Sequence, residues 1–283
     1  MTRFLIAALG TLLLSGCQSA LFGVVNARQP SAGTVAHRDI VFDAAHGLSL
    51  DVYAPPNATH APVVVFFYGG SWKSGKRQWY RWVGETLAAR GIVTVVPDYR
   101  QWPNVRLDGF MEDGARAVRW THDHVADFGG NASDLFLMGH SAGAHIGALL
   151  VTDAHWLADV DMTPRDLAGF VGLAGPYDFL PLTNDDFIDM FGHTAEAQAR
   201  SQPVNFVEGD EPPVLLLQGE SDGTVRPSNA LSLQAHYRAH GEEAEVKLYP
   251  GLGHMGILFA LGPWKDKAPV LDDAVQFIRK HPR

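Results

Sequence analysis

Apolar positions along this chain gather into short, largely unbroken runs separated by segments with helical spacing. Pro62–Tyr68 (PVVVFFY), Ile92–Val96, Leu135–Met138, Ala168–Leu173 and Pro213–Gln218 are such runs, the pattern of strands covered on both faces. Ala244–Tyr249 reads as a further strand. Between them, Trp79–Arg90 repeats apolar residues at Trp79, Trp82, Val83 and Leu87, and Phe110–Asp127, the Ala/Ile/Leu-rich stretch after Ser141, Pro227–Ala239 and Pro269–Lys280 are also predicted helices. His37–Phe42 and Leu48–Tyr53 read as two strands around the turn Asp43-Ala44-Ala45-His46-Gly47. Strands alternating with helices predict an α/β fold. Its doubly wound, mainly parallel sheet carries helices on both faces, with the N-terminal hairpin as an antiparallel edge. Phe179–Glu211 is polar and irregular around Phe187, Ile188, Met190 and Phe191, and is expected to be a small insertion over the sheet, residues 179–211.

Composition narrows this to one domain. The chain has 283 residues, 46% of them apolar, with 29 glycines and 17 prolines, enough for one sizeable core. A formal charge of −9 without a Lys/Arg run argues against nucleic acid as a partner. The first residues, MTRFLIAALGTLLLSGC, change the picture. Arg3 precedes an apolar run, Phe4–Leu14, that is short for a membrane span, and small residues lead to Cys17, the only cysteine. This resembles the bacterial lipobox, whose cysteine is acylated and becomes the mature N-terminus. A cleaved signal with a stray cysteine is the alternative, but an exported chain has little use for one unpaired thiol. The expected organisation is a signal peptide over 1–16, a polar tether over 17–36 and one domain over 37–283. A lipid on Cys17 would anchor it to a membrane of the cell envelope. Gln18 after the cysteine favours the outer membrane, by resemblance to enterobacterial sorting. No protein partner is evident.

Candidate chemistry centres on Asp134–Leu150, DLFLMGHSAGAHIGALL, where an apolar run enters Gly139-His140-Ser141-Ala142-Gly143 and continues as a helix. Strand, G-x-S-x-G and helix together predict a tight turn that raises Ser141 beside the positive end of a helix. A serine hydroxyl needs a base within reach, itself oriented by a carboxylate. Downstream, Pro213–Gln218 runs into Gly219-Glu220-Ser221-Asp222-Gly223-Thr224-Val225, which offers Asp222 as the acid with Glu220 as its competitor. Of the 13 histidines, His254 alone lies on a glycine-rich stretch after the last strand, where it can reach the serine. His140 is expected to support the turn, and His145 to be pocket wall or core. Negative charge on a substrate oxygen needs N–H groups aimed at it, expected from Ala142, Gly70 and Ser71. Trp72 reads equally as core or pocket wall.

YGGSW at 68–72, DYR at 98–100, FGGNASDLFLMGHSAGAH at 128–145, SDGTV at 221–225 and GHMG at 253–256 together resemble the α/β-hydrolase esterase/lipase superfamily. The likeness covers residues 38–280. It is nearest to the branch with an HGGxW loop, which holds BD-FAE-type esterases, kynurenine formamidases and prenylcysteine methylesterases. Tyr68 stands where that branch has a histidine bracing the oxyanion loop. The resemblance implies the α/β-hydrolase fold and favours Asp222 over Glu220. It also implies a carboxylesterase-type mechanism through Ser141, His254 and Asp222, with no metal and no cofactor, but it names no one substrate; the expected substrate is a small-molecule ester with a short acyl or aryl group. An amidase, formamidase or exopeptidase with the same triad is the first alternative. A non-catalytic surface lipoprotein is the second.

Overall fold

A computed structural model describes residues 19–28 and 33–283. Residues 19–28 are helical (α1). The strands are β1 (Val35–Asp43), β2 (Leu48–Ala54), β3 (Ala61–Phe67), β4 (Val93–Pro97), β5 (Gly130–His140), β6 (Gly169–Leu173), β7 (Val214–Gly219) and β8 (Ala244–Tyr249). The larger helices are α2 (Arg81–Ala88), α3 (Leu107–His124), α4 (Ala142–Thr152), α8 (Ser228–Ala239) and α10 (Val270–Lys280). Shorter ones are α5 (His155–Ala158), α6 (Asp185–Phe191), α7 (Ala195–Ala199) and α9 (His254–Phe259).

The strands form one sheet in the order β1-β2-β4-β3-β5-β6-β7-β8. β1 pairs with β2, and β2 with β4, antiparallel; every other pairing is parallel. This is the α/β-hydrolase fold, with the expected hairpin at its edge. The central strands are buried along their length because helices cover both faces, which is why they read as unbroken apolar runs. Reversal of strand order around β3 opens a crevice at the carboxyl ends of β3, β5, β7 and β8. At the hairpin edge the Arg77 guanidinium is buried and joins Asp51, Asp98 and Asp39, tying β1, β2 and β4 to the turn before α2.

Three expectations need correction. Residues 19–28, read as part of a polar tether, are a helix whose Phe22 is only 3% exposed. The ring finds aromatic partners in Trp79, Tyr80 and Phe259, all remote in sequence and so invisible to a local reading. The segment 179–211, read as irregular, contains α6, α7 and a short helical turn, Pro203–Phe206. Asn184 caps α6 by accepting from the N–H groups of Asp186 and Phe187. His254, expected on a glycine-rich loop, is the first residue of α9. Cys17 and the expected signal peptide lie outside the described residues. Among the described residues, no helix is long and apolar enough to cross a membrane.

Candidate active site

Ser141 sits between the end of β5 and the start of α4 with φ 55° and ψ −122°, a conformation side-chain-bearing residues rarely hold. Its N–H is fixed by the Leu173 carbonyl of the neighbouring strand at 2.9 Å. Close packing explains the small residue at position 143. A Cβ on Gly143 would lie 2.0 Å from the Phe67 carbonyl oxygen, so any side chain there would push α4 off β3.

Three side chains from three strand ends meet at this turn. His254 Nε2 lies 2.8 Å from Ser141 Oγ, and His254 Nδ1 lies 2.8 Å from Asp222 Oδ2. An ionised carboxylate only accepts, so Nδ1–H donates to Asp222, which leaves Nε2 facing the serine hydroxyl. Asp222 Oδ1 accepts from the N–H groups of Thr224 at 2.8 Å and Val225 at 2.9 Å, and Gln218 Nε2 donates to Oδ2 at 3.2 Å. Burial pushes the Asp222 carboxyl up. The hydrogen bonds from His254 and the Val225 and Thr224 N–H groups outweigh that, holding it below the usual carboxylate range. Glu220, the competing carboxylate, is exposed instead.

His140 contributes a contact that sequence reasoning placed only loosely. Its ring is buried, and Nε2–H donates to the backbone carbonyl of His254 at 3.0 Å, which ties it to the backbone of that residue. Burial, and the nearby His254, lower its pKa to about 3, so this imidazole is neutral at ordinary pH. No sequence signal distinguishes it from a packing residue. His145 is fully buried on α4, donates to the Ser201 carbonyl at 2.7 Å and stands edge-on to Trp72. Of the two expectations, pocket wall or core, it is core.

The loop after β3 brings Gly70 and Ser71 to the same cleft. Gly70 has φ 143°, and a Cβ there would lie 2.0 Å from the Ser74 carbonyl oxygen; that carbonyl's own residue donates its N–H back to Gly70 O at 3.0 Å. Ala142 opens α4, where the first N–H groups have no partner within the helix. Tyr68 is buried under this loop, its ring stacked between Tyr80 at 5.5 Å and Tyr99 at 4.6 Å. Tyr80 Oη donates to the Gly69 carbonyl at 3.4 Å, and Tyr99 Oη to the Tyr68 carbonyl at 2.9 Å. An aromatic stack therefore supports the loop where the HGGxW branch has a histidine.

Two cavities open on Ser141. One, of about 160 Å³, is lined by Phe22, Gly70, Trp79, His254 and Met255. The other, of about 250 Å³, is lined by Trp72, Phe179, Leu182, Phe187 and Val225. Ser71, Ser141 and Thr224 border both. Trp72 is thus both core and wall: it is 3% exposed, and Phe179, Phe187 and Phe191 from the insertion surround it. Salt bridges of Lys73 to Asp186 (2.7 Å) and Arg106 to Asp189 (2.9 Å) hold α6 over this cavity, joined by Trp102 Nε1 on Asp189 (2.8 Å).

Among the described residues, one group could hold a cation by distance, the donor atoms of Asp43, His46 and Asp113 lying within 4.8 Å of one another. Their charges already have partners, Arg116 on Asp43 and both Arg100 and Arg116 on Asp113.

Known proteins resemble this chain in sequence or in fold. The BD-FAE family model matches residues 50–237. Isoprenylcysteine alpha-carbonyl methylesterase of Arabidopsis thaliana is 28% identical over 85% of this chain and 61% of its own length. Kynurenine formamidase of Danio rerio is 28% identical over 60% of this chain and 56% of its own. The chain therefore spans only part of the curated relatives it matches. A solved structure described as the truncated form of a carbohydrate esterase from gut microbiota superposes with a TM-score of 0.76 at 18% identity. That match covers 90% of this chain and 99% of the other, and it shows the fold.

Proposed function

Since the chain belongs to the BD-FAE family, we propose that it is a serine hydrolase of carboxylic esters with small acyl groups. The observation that carries this reading is the continuous chain from Asp222 through His254 to Ser141, with both links at 2.8 Å. Ser141 Oγ attacks the acyl carbon as its proton passes to His254 Nε2. Asp222 holds the ring and its new positive charge. The N–H groups of Gly70, Ser71 and Ala142 receive the oxyanion. His254 then gives its proton to the leaving alcohol oxygen, and afterwards takes one from the water that releases the acid.

The two cavities divide the ester between them. The departing oxygen must come within reach of His254, which lines the 160 Å³ cavity and not the larger one. The alcohol therefore enters the smaller cavity and the acyl group the larger, apolar one. At about 250 Å³ that space lies below the ~300–1,000 Å³ of ordinary ligand pockets, which supports short acyl chains. The resemblance to kynurenine formamidase keeps a formamide as the second reading, through the same three residues.

Hydrolysis of p-nitrophenyl esters from acetate to palmitate tests this. Turnover is expected to peak at short chains, and Ser141→Ala to lose several powers of ten in kcat. Equal activity in the folded variant would contradict the assignment.

A further inference from the structure

We infer that helix α1 is a working part of the cleft, and that Phe22 sets the size of the alcohol group the site accepts. This rests on the ester-hydrolase reading above. Phe22 lines the 160 Å³ cavity together with Ser141, His254 and Met255, and its ring is almost wholly buried there. It stacks on Trp79 with centroids 5.6 Å apart and planes 10° apart, and leans on Tyr80 at 5.0 Å and Phe259 at 6.3 Å. Trp79 and Tyr80 lie in the helical turn that leads into α2, and Phe259 on the helix that His254 begins. The ring therefore bridges the oxyanion side of the cleft and the base side.

The position of that ring does not depend on the ring alone. Phe22, Val25 and Asn26 share one helix face, while Leu21 and Val24 on the other side are exposed. Asn26 holds the helix by three hydrogen bonds. Its Oδ1 accepts from the Trp82 N–H at 3.1 Å, its Nδ2 donates to the Gln78 carbonyl at 2.9 Å, and its own carbonyl accepts from Arg81 Nη2 at 2.6 Å. These partners sit beside Trp79 and Tyr80 in the chain, so the polar clamp fixes how far the ring reaches into the cavity. A wall held from behind in this way excludes large groups by steric cost rather than yielding to them.

The test compares kcat/KM for benzyl acetate with kcat/KM for ethyl acetate, which share an acyl group and differ in alcohol size. Phe22→Ala is expected to raise the benzyl-to-ethyl ratio about tenfold or more, the scale of size discrimination in an apolar pocket. Phe22→Trp is expected to lower it, chiefly through KM for the benzyl ester. Asn26→Ala, which loosens the helix without altering a cavity residue, should shift the ratio in the direction of Phe22→Ala. Thermal melts establish that each variant is folded. A wild-type protein that hydrolyses both acetates, with ratios within twofold across all the folded variants, would overturn the inference and leave the hydrolase reading standing. Absence of Ser141-dependent turnover on either acetate would overturn both.

Discussion

Ser141 is held where its backbone is strained, at a cost of about 1–3 kcal/mol for such a conformation. Strand pairing on one side and α4 on the other stabilise that turn. This much was legible in G-x-S-x-G, because tight turns of this kind leave a short and local signature. Asp222 and His254 were legible for the same reason: each follows a strand end within a few residues. Asp222 rather than Glu220 meets the His254 ring, in keeping with the resemblance carried by SDGTV at 221–225. Only Asp222 turns inward to meet the Thr224 and Val225 N–H groups and the His254 ring. The His140 bond to the His254 backbone joins residues far apart in the chain, and local pattern carries no trace of it.

His145 gives a residue-scale prediction about stability. Burial lowers its pKa from 6.5 to about 4, and its hydrogen bond to Ser201 only partly offsets this. The folded protein therefore keeps the ring neutral, whereas the unfolded chain takes up a proton once pH falls below about 6.5. Stability from this group is complete above the unfolded value. It is lost as pH falls from about 6.5 towards 4, at about 1.4 kcal/mol per pH unit at most. Urea unfolding at pH 7 and pH 4.5 checks this. His145→Gln is expected to lose less stability across that interval than the wild type, and an identical loss in both would contradict it.

At the scale of elements, the unbroken apolar strands and their order of appearance were readable, since burial on both faces leaves a composition signal. Elements whose reason for folding lies elsewhere in the chain were not. Helix α1 depends on an aromatic cluster and on Asn26, and α6 on charges supplied by Lys73 and Arg106. The second case has a direct test. Asp189 accepts from both Trp102 Nε1 and Arg106 Nη2 and so secures α6, which presents Phe187 to the larger cavity. Asp189→Ala is expected to raise KM for p-nitrophenyl butyrate several-fold, with kcat for the acetate changing much less. Unaltered KM for both esters would show that α6 holds its place without that carboxylate.

At the scale of the molecule, the sheet's topology does the gathering. Reversal of strand order at β3 brings the ends of β3, β5, β7 and β8 to one crevice, so residues spread from Gly70 to His254 become neighbours. A fold of this kind serves many chemistries, and the site rather than the sheet carries the functional reading. The two cavities on either side of Ser141 were beyond sequence reading. One is walled by α1 and the other by α6, the elements local pattern missed. The most direct test of the central claim is covalent labelling with a fluorophosphonate, read by peptide mass mapping. A serine activated by His254 and Asp222 predicts stoichiometric label on the peptide carrying Ser141, and label slowed by orders of magnitude in His254→Ala. Label spread over other serines, or equal labelling of Ser141 in the folded His254→Ala protein, would contradict it.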